Sequence, residues 1–459
     1  MERFFVLRTR LRSFLTVPRS RWLASCDFER GIRRLMVEGL AASMTYAVLG
    51  YAQSVLSRIG WHTFVDPRNK GACVNGAAAA QPPVVQLLSV GGQEQLFYPA
   101  PARPVVALLR GTAADAAGNV SLEREPLLLN QLDQAMAARA TGGLVLVQVE
   151  RLVPGELPTR AVAIPGALVD CVVLAPPEQH PPTLMGPTYW PSLTGESSQL
   201  CRELEQPPPQ GLRRIIARRA MLAIADDAPG RPAVVCLGIG LPEGVAPAIR
   251  DAGALHAPAA CAVLATEAGA LGGCNAPVGR DAAGGLTLFG AAQGAAAHLP
   301  AGSMMDLLQG GASLAILGML QVNARGDVNV SSMGPMLRIG CGGFIDISQS
   351  ARRLVFVGTL RSGGSQGTLD ASLRARDDGA PKFVRGDVLE TTFAASTAEG
   401  REVLYVTERA VFRLLPAGGG LELCEVAPGV DVERDVLQLM QFRPRMSSTL
   451  RMMDARCFD

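Results

Sequence analysis

Glu267 is the only charged side chain in the stretch LATEAGALGGC, Leu264 to Cys274, and its neighbours are small apolar residues and glycines. It follows the strand-like run CAVLAT and precedes Ala-Gly. Parallel α/β sheets bind ligands beyond the carboxyl ends of their strands, so the position suits a site. A carboxylate can serve as base, metal ligand or nucleophile. A metal would need further acids or histidines nearby, and the local sequence offers none, which leaves base and nucleophile. The blander alternatives are a helix cap and an ion-pair partner.

Two glycine-rich places could serve such a carboxylate. PAVVCLGIGLPEGVA, Pro232 to Ala246, reads as strand, tight turn and helix start, with Pro242 where a first helical turn tolerates it. Gly238 and Gly240 are expected to leave backbone N–H groups bare at the strand's end, able to hold an anion or a developing oxyanion. The alternative is a plain strand-to-helix turn; the third glycine comes one place late for a dinucleotide fingerprint. GCGGF, Gly340 to Phe344, allows close backbone approach through Gly340, Gly342 and Gly343, or is a structural loop. In GWHTFVDPR, Gly60 to Arg68, no Ser or Cys elbow accompanies His62, Asp66 and Arg68, which favours an Asp–Arg structural pair. Cys236, Cys274 and Cys341 read as small buried hydrophobes.

These residues need strands and turns to place them. EQPPPQG, Glu205 to Gly211, cannot continue a helix or central strand and marks a domain boundary; LRRIIARRAMLAIA after it has helical apolar spacing. The two sides repeat one another. VVALLRGTAADAAGNVSLEREPLLL, from Val105, matches SLAILGMLQVNARGDVNVSSMGPML, from Ser313, with Gly118 and Gly326 separated by 208 positions and Pro126 and Pro335 by 209. LVLVQV at Leu144 then matches LVFVGT at Leu354. The pattern predicts a duplicated α/β unit with short apolar runs as buried parallel strands and crossover helices between them. By the same offset Glu267 corresponds to Arg58, and GCGGF to the helical LDQAM, so the second copy alone carries the carboxylate and the glycine loop.

The totals agree with two soluble-type cores. The chain has 459 residues, 48% hydrophobic and 18% charged, with net charge +2. That is too long for one ordinary core and gives no drive toward nucleic acid. Ten scattered cysteines without a C-x-x-C pair, and four histidines, exclude metal-ligand spacing and suit a reducing cytoplasm. No run of 18 apolar residues predicts a membrane span. The first 22 residues carry six arginines and one acid, which looks like a transit peptide, a displaced start or a divergent end.

Taken together, GWHTFVDPR, FYPAPARPVVALLRGTAADAAGNVS, VVCLGIGLPEGVA, TEAGALGG, DVNVSSMGP, GCGGFIDISQSARRLVFVGT and VERDVLQLMQFRP with LRMMDAR resemble class I coenzyme A-transferases, nearest the bacterial acetate/propionate group, from about Arg58 to the C-terminus. The resemblance implies two related open α/β domains, 58–205 and 206–459, with mainly parallel sheets and the active site between them. It implies a ping-pong transfer of CoA between acyl-CoA and a short-chain carboxylic acid, with Glu267 forming a glutamyl-CoA thioester. CoA is then substrate and covalent intermediate, with no tightly bound cofactor or metal. Gly342, Gly343 and Gly340 would lie along CoA, and Gly238 and Gly240 would wall the same cleft. A homo-oligomer is expected, without nucleic acid or membrane as partner. Ala268 stands where the family has Ser or Asn, and Cys236 where it has Asn. The family's opening strand and Gly-Gly-Phe turn have no counterpart in residues 1–57, so the first domain is expected to lack its opening β-α units. If so, the alternatives are a non-catalytic CoA-binding remnant and a weak acyl-CoA hydrolase.

Overall fold

The computed structural model describes residues 54–73, 76–80, 82–99, 106–181, 189–202, 207–225, 233–252, 262–272, 274–275, 290–332, 340–362 and 379–458. Residues 1–53, the greater part of the 1–57 stretch on which the expectation of missing opening units rests, and the boundary at 205/206 lie outside the described residues.

Two sheets organise the chain. The first contains β1 (Val106–Ala114), β2 (Val120–Ser121), β3 (Leu144–Leu152) and β4 (Cys171–Leu174) in the order β2-β1-β3-β4, with β1, β3 and β4 parallel. Helix α1 (Gln131–Ala140) is the crossover between β1 and β3. The second sheet is larger. Its described strands are β5 (Val234–Leu237), β6 (Val263–Ala265), β7 (Ala270–Leu271), β8 (Ala297–His298), β9 (Leu314–Gly318), β10 (Arg353–Val357), β11 (Glu402–Val406), β12 (Ala410–Leu415), β13 (Gly420–Val426) and β14 (Arg445–Met452). They run in the order β8-β7-β6-β5-β9-β10-β11-β12-β13-β14. The centre, β6-β5-β9-β10-β11, is parallel.

Those central strands read as unbroken apolar runs because both of their faces are buried. Successive residues alternate between two cores. Cys236, Leu317, Leu354, Phe356 and Tyr405 join one; Val235, Leu237, Ile316, Val355 and Leu404 join the other. Helices α2 (Gly211–Ala225) and α3 (Val245–Ala252) cover the second face, and α4 (Ala301–Gly311) and α5 (Phe344–Ser350) the first.

The internal repeat holds at the level of register. Val106 pairs with Leu144 and Leu314 with Arg353, at offsets of 208 and 209. A turn further along each copy, after Ala114 in the first and after the short strand Gln321–Asn323 in the second, is also shared, with its side chains exchanged. Asp115 Oδ1 accepts the N–H groups of Ala117 and Asn119, and Asn119 Nδ2 donates to Asp115 Oδ2. In the second copy Asn323 Oδ1 accepts the N–H groups of Arg325 and Asp327, and Asn323 Nδ2 donates to Asp327 Oδ2.

The repeat does not extend to Arg58. The strand Val55–Ser57 pairs antiparallel with Gln93–Tyr98 in a separate three-stranded sheet, whereas β6 before Glu267 lies inside the large sheet. Arg58 instead stacks on Trp61 and pairs with Glu399. Sequence offset cannot see such a change of partner, and Arg58 is not the structural counterpart of Glu267. The helical reading of LDQAM is correct: α1 spans it, while at the same offset the second copy forms the glycine loop and begins α5 only at Phe344.

Candidate active site

Glu267 sits in the turn of a β6–β7 hairpin. Thr266 accepts the Gly269 N–H on its carbonyl at 3.1 Å, and its hydroxyl donates to Gly290 O at 2.7 Å. Gly269 has φ +117°, and a methyl group there would lie 2.1 Å from Leu299 O, so only glycine fits. The buried Ala268 packs beside Gly290, where a methyl group would lie 3.0 Å from Ala268 Cβ. Space, rather than a polar contact, is what Ala268 supplies at the position where Ser or Asn was expected.

The glycine loop meets this turn. Gly343, the residue capping α5, donates its N–H to Glu267 Oε2 at 3.0 Å. A methyl group on Gly343 would lie 2.7 Å from that oxygen and 3.1 Å from Met305 Cε; one on Gly342 would lie 3.0 Å from Glu267 Oε1. The two glycines thus let the carboxylate approach this closely; a methyl group on either would crowd the end of the Glu267 side chain. Gly340 is exposed, and a methyl group there would meet no described atom within 4 Å.

Gly238 lies near the same end of the sheet, because Cys236 of β5 is level with Ala265 of β6. The expectation of bare N–H groups here is wrong. Gly238 N–H donates to Ile316 O at 2.9 Å, extending the β5–β9 ladder. Gly240 N–H donates to Glu243 Oε2 at 2.9 Å, as Glu243 N–H returns to Gly240 O. This is a capping box, in which a side chain three residues on satisfies the turn. Burial pushes the Glu243 carboxyl up to about 7, against the opposing effect of the Gly240 hydrogen bond.

Two thiols feel the charge of the carboxylate. Burial raises the Cys236 thiol well above its ordinary range, and the charge of Glu267 raises it further. Burial pushes Cys341 up to about 12, with Glu390, Asp346 and Glu267 adding to the effect. Both therefore stay neutral near pH 7 and are poor nucleophiles. Among the described residues no group of three His, Cys, Asp or Glu side chains is placed to hold a metal ion, and no helix is long and apolar enough to cross a membrane.

The first sheet's loops reach the hairpin's neighbourhood: Ala301 N–H donates to Leu129 O at 3.0 Å, and Ser192 Oγ to Gln293 Oε1 at 3.0 Å. A strand-end carboxylate is thus faced by a glycine loop, in a part of the chain where Leu129 and Ser192 bond to Ala301 and Gln293. A sequence model described as coenzyme A transferase matches residues 36–175. The chain is 34% identical over 432 residues to caffeate CoA-transferase of Acetobacterium woodii, spanning 92% of this chain and 78% of that protein. The chain belongs to the coenzyme A transferase family. It is also 32% identical over 430 residues to acetate CoA-transferase YdiF of Escherichia coli K12, spanning 92% and 75% of the two chains. The crystal structure of the acyl-CoA transferase YdiF from E. coli O157:H7, a thioester complex with CoA, superposes with a TM-score of 0.77 at 30% identity. It covers 93% of this chain and 79% of that one.

This CoA-transferase thus has the enzyme class and fold expected from its motifs. The family match opens at residue 36, so residues 36–57, read from sequence as unlike the family, fall inside the matched stretch. GWHTFVDPR holds the expected pair: Arg68 Nε and Nη2 reach Asp66 Oδ1 and Oδ2 at 2.9 and 2.7 Å. The sequence reading missed Thr266, which ties the hairpin; its place directly before the carboxylate was the available signal. It also missed Glu243, whose signal was the G-x-x-E spacing of a helix start.

Proposed function

We propose that this CoA-transferase works by a ping-pong mechanism with Glu267 as nucleophile. A carboxylate oxygen of Glu267 attacks the acyl-CoA carbonyl, and CoA leaves as thiolate to give an acyl-glutamyl anhydride. The thiolate then attacks the glutamyl carbonyl, the acyl group departs as a free carboxylate, and a glutamyl-CoA thioester remains. A second carboxylate takes the CoA by the same steps reversed.

The observation that carries the reading is the Gly343 N–H at 3.0 Å from Glu267 Oε2. When either thiolate or acceptor acid attacks the glutamyl carbonyl, negative charge grows on that oxygen. A fixed donor within about 2.7–3.1 Å of it stabilises the charge as it forms. The thiols of Cys236 and Cys341, kept neutral by burial, do not compete with the carboxylate as nucleophiles. The family's Gly-rich contacts are assigned to Gly342 and Gly343 first, then Gly340; Gly238 and Gly240 serve as cleft wall only, since their N–H groups are engaged.

Short-chain acids of the acetate and propionate type are the proposed substrates, supported by the similarity to YdiF; caffeate is the comparison acid. The reading includes a cytoplasmic homo-oligomer of two domains divided near 205/206. Initial rates with acetyl-CoA and propionate test it. Parallel double-reciprocal lines and CoA exchange without net turnover are expected. Intersecting lines with no exchange would exclude a covalent enzyme intermediate. Release of CoA without any acceptor acid would instead mark a hydrolase.

A further inference from the structure

A loop with three glycines in four residues loses much chain entropy when it is fixed, so something must hold it for Gly343 to present one N–H reproducibly. Its downstream support is α5. Gln309 Nε2 donates to Asp346 Oδ1 at 3.0 Å and ties the first turn of α5 to α4. At the far end Arg401 Nη1 donates to Ser348 O at 3.0 Å and to Ala351 O at 2.6 Å. Between them Gln349 reaches out of the domain altogether. Its Oε1 accepts the Gly60 N–H at 2.5 Å, and its Nε2 donates to Trp61 O at 3.1 Å.

The segment it grips is itself stiff. Asp66, fully buried, accepts His62 N–H and the Nε–H and Nη2–H groups along one edge of the Arg68 guanidinium. Tyr98 Oη donates to Ile59 O at 2.5 Å. Gly60 has φ +98°, and a methyl group there would lie 2.4 Å from Tyr98 Oη and 2.5 Å from Val65 Cγ2. Phe64 N–H and Lys70 Nζ fasten the same strap to Thr391 O and Leu389 O, each at 2.8 Å.

We propose that Gln349 is a positioning residue for CoA transfer, clamping α5 to the 59–68 strap so that Gly343 N–H is held against Glu267. It touches no reacting atom and acts through Gly343. On this account GWHTFVDPR, which supplies no catalytic group, is the fixed side of the clamp. The inference rests on Glu267 being the nucleophile.

The test uses the full chain with Gln349→Leu and Gln349→Glu. Gln349→Leu loses both hydrogen bonds; Gln349→Glu keeps the acceptor for Gly60. Gln349→Leu should slow glutamyl-thioester formation at least tenfold, on the scale of a displaced oxyanion donor. KM for acetyl-CoA should stay within about twofold, as the donor acts on developing charge rather than on binding. Gln349→Glu should lose less. Amide hydrogen exchange of residues 340–350 should quicken in Gln349→Leu. Unchanged exchange there overturns the clamp, and so does a rate loss matched by an equal loss of CoA affinity. Should Gln349→Leu fail to fold, Gln349→Glu, which gives up the donor to Trp61 O, is read the same way with a smaller effect. If wild type forms no adduct on Glu267 the nucleophile assignment falls, while the exchange of 340–350 still decides the clamp.

Discussion

The N–H of Gly343 and the carboxylate of Glu267 form a 3.0 Å hydrogen bond across 76 positions of sequence. It joins a hairpin turn at the edge of the parallel strands to a glycine loop that only the second copy of the repeat possesses. Shared strands and turns are scaffold; this contact is what the second copy adds.

Gly343→Ala should therefore damage chemistry more than folding. Gly343 has φ −79°, which alanine adopts freely, so backbone strain is absent. The new methyl would press on Glu267 Oε2 at 2.7 Å and displace it. A fall in kcat on the order of 10²-fold, with Tm nearly unchanged, is expected from steady-state CoA exchange and thermal melts. A wild-type rate would mean that the close approach has no catalytic use.

Glu243 gives the fold a pH signature. Its carboxyl is pushed up from 4.5 to about 7 by burial, so between those values the folded state binds more proton than the unfolded chain. Stability from this group is full below about pH 4.5 and is lost as pH rises through about 7, an effect on the order of 3 kcal/mol. Glu243→Gln keeps an acceptor for Gly240 and removes the titration. Urea midpoints of wild type and variant should converge at low pH and separate in favour of the variant above pH 7. A constant difference across the range would contradict this assignment.

The exchanged turn side chains allow a transplant. Asp115→Asn alone places two amides together and should destabilise by about 1–3 kcal/mol, since a buried charged acceptor is lost. Adding Asn119→Asp recreates the Asn323–Asp327 arrangement and should recover part of that loss. Recovery is incomplete because Asp115 Oδ2 also accepts Leu157 N–H at 3.1 Å, a bond the amide cannot replace at that atom. Chemical denaturation of the two single variants and the double variant measures the coupling. A double variant no better than the sum of the singles would show that the two turns are alike in outline only.

Much of this was legible in the chain. Apolar runs buried on both faces announce parallel strands, and the matched glycines of the two turns announce the repeat. Glu267 was visible because a charge among Ala and Gly has no local reason to be there. What was hidden depends on contacts made at a distance. The partner of Val55–Ser57 is chosen by tertiary packing, so the offset misassigned Arg58. The Gly238–Gly240 turn looked open because Ile316, 78 positions away, takes one N–H and the Glu243 side chain folds back on the other. Gln349 gave no signal at all, since its partners lie 288 and 289 positions upstream.

The most direct test is to incubate the enzyme with acetyl-CoA alone, reduce with borohydride, digest and map the product by mass spectrometry. A glutamyl-CoA thioester is reduced at its carbonyl, so the peptide containing Leu264–Leu271 should carry a primary alcohol in place of the Glu267 carboxylate, about 14 Da lighter. That modification should be absent without acetyl-CoA and absent in Glu267→Gln. An unmodified Glu267 in protein that exchanges CoA normally, or reduction at a different carboxylate, would contradict the account.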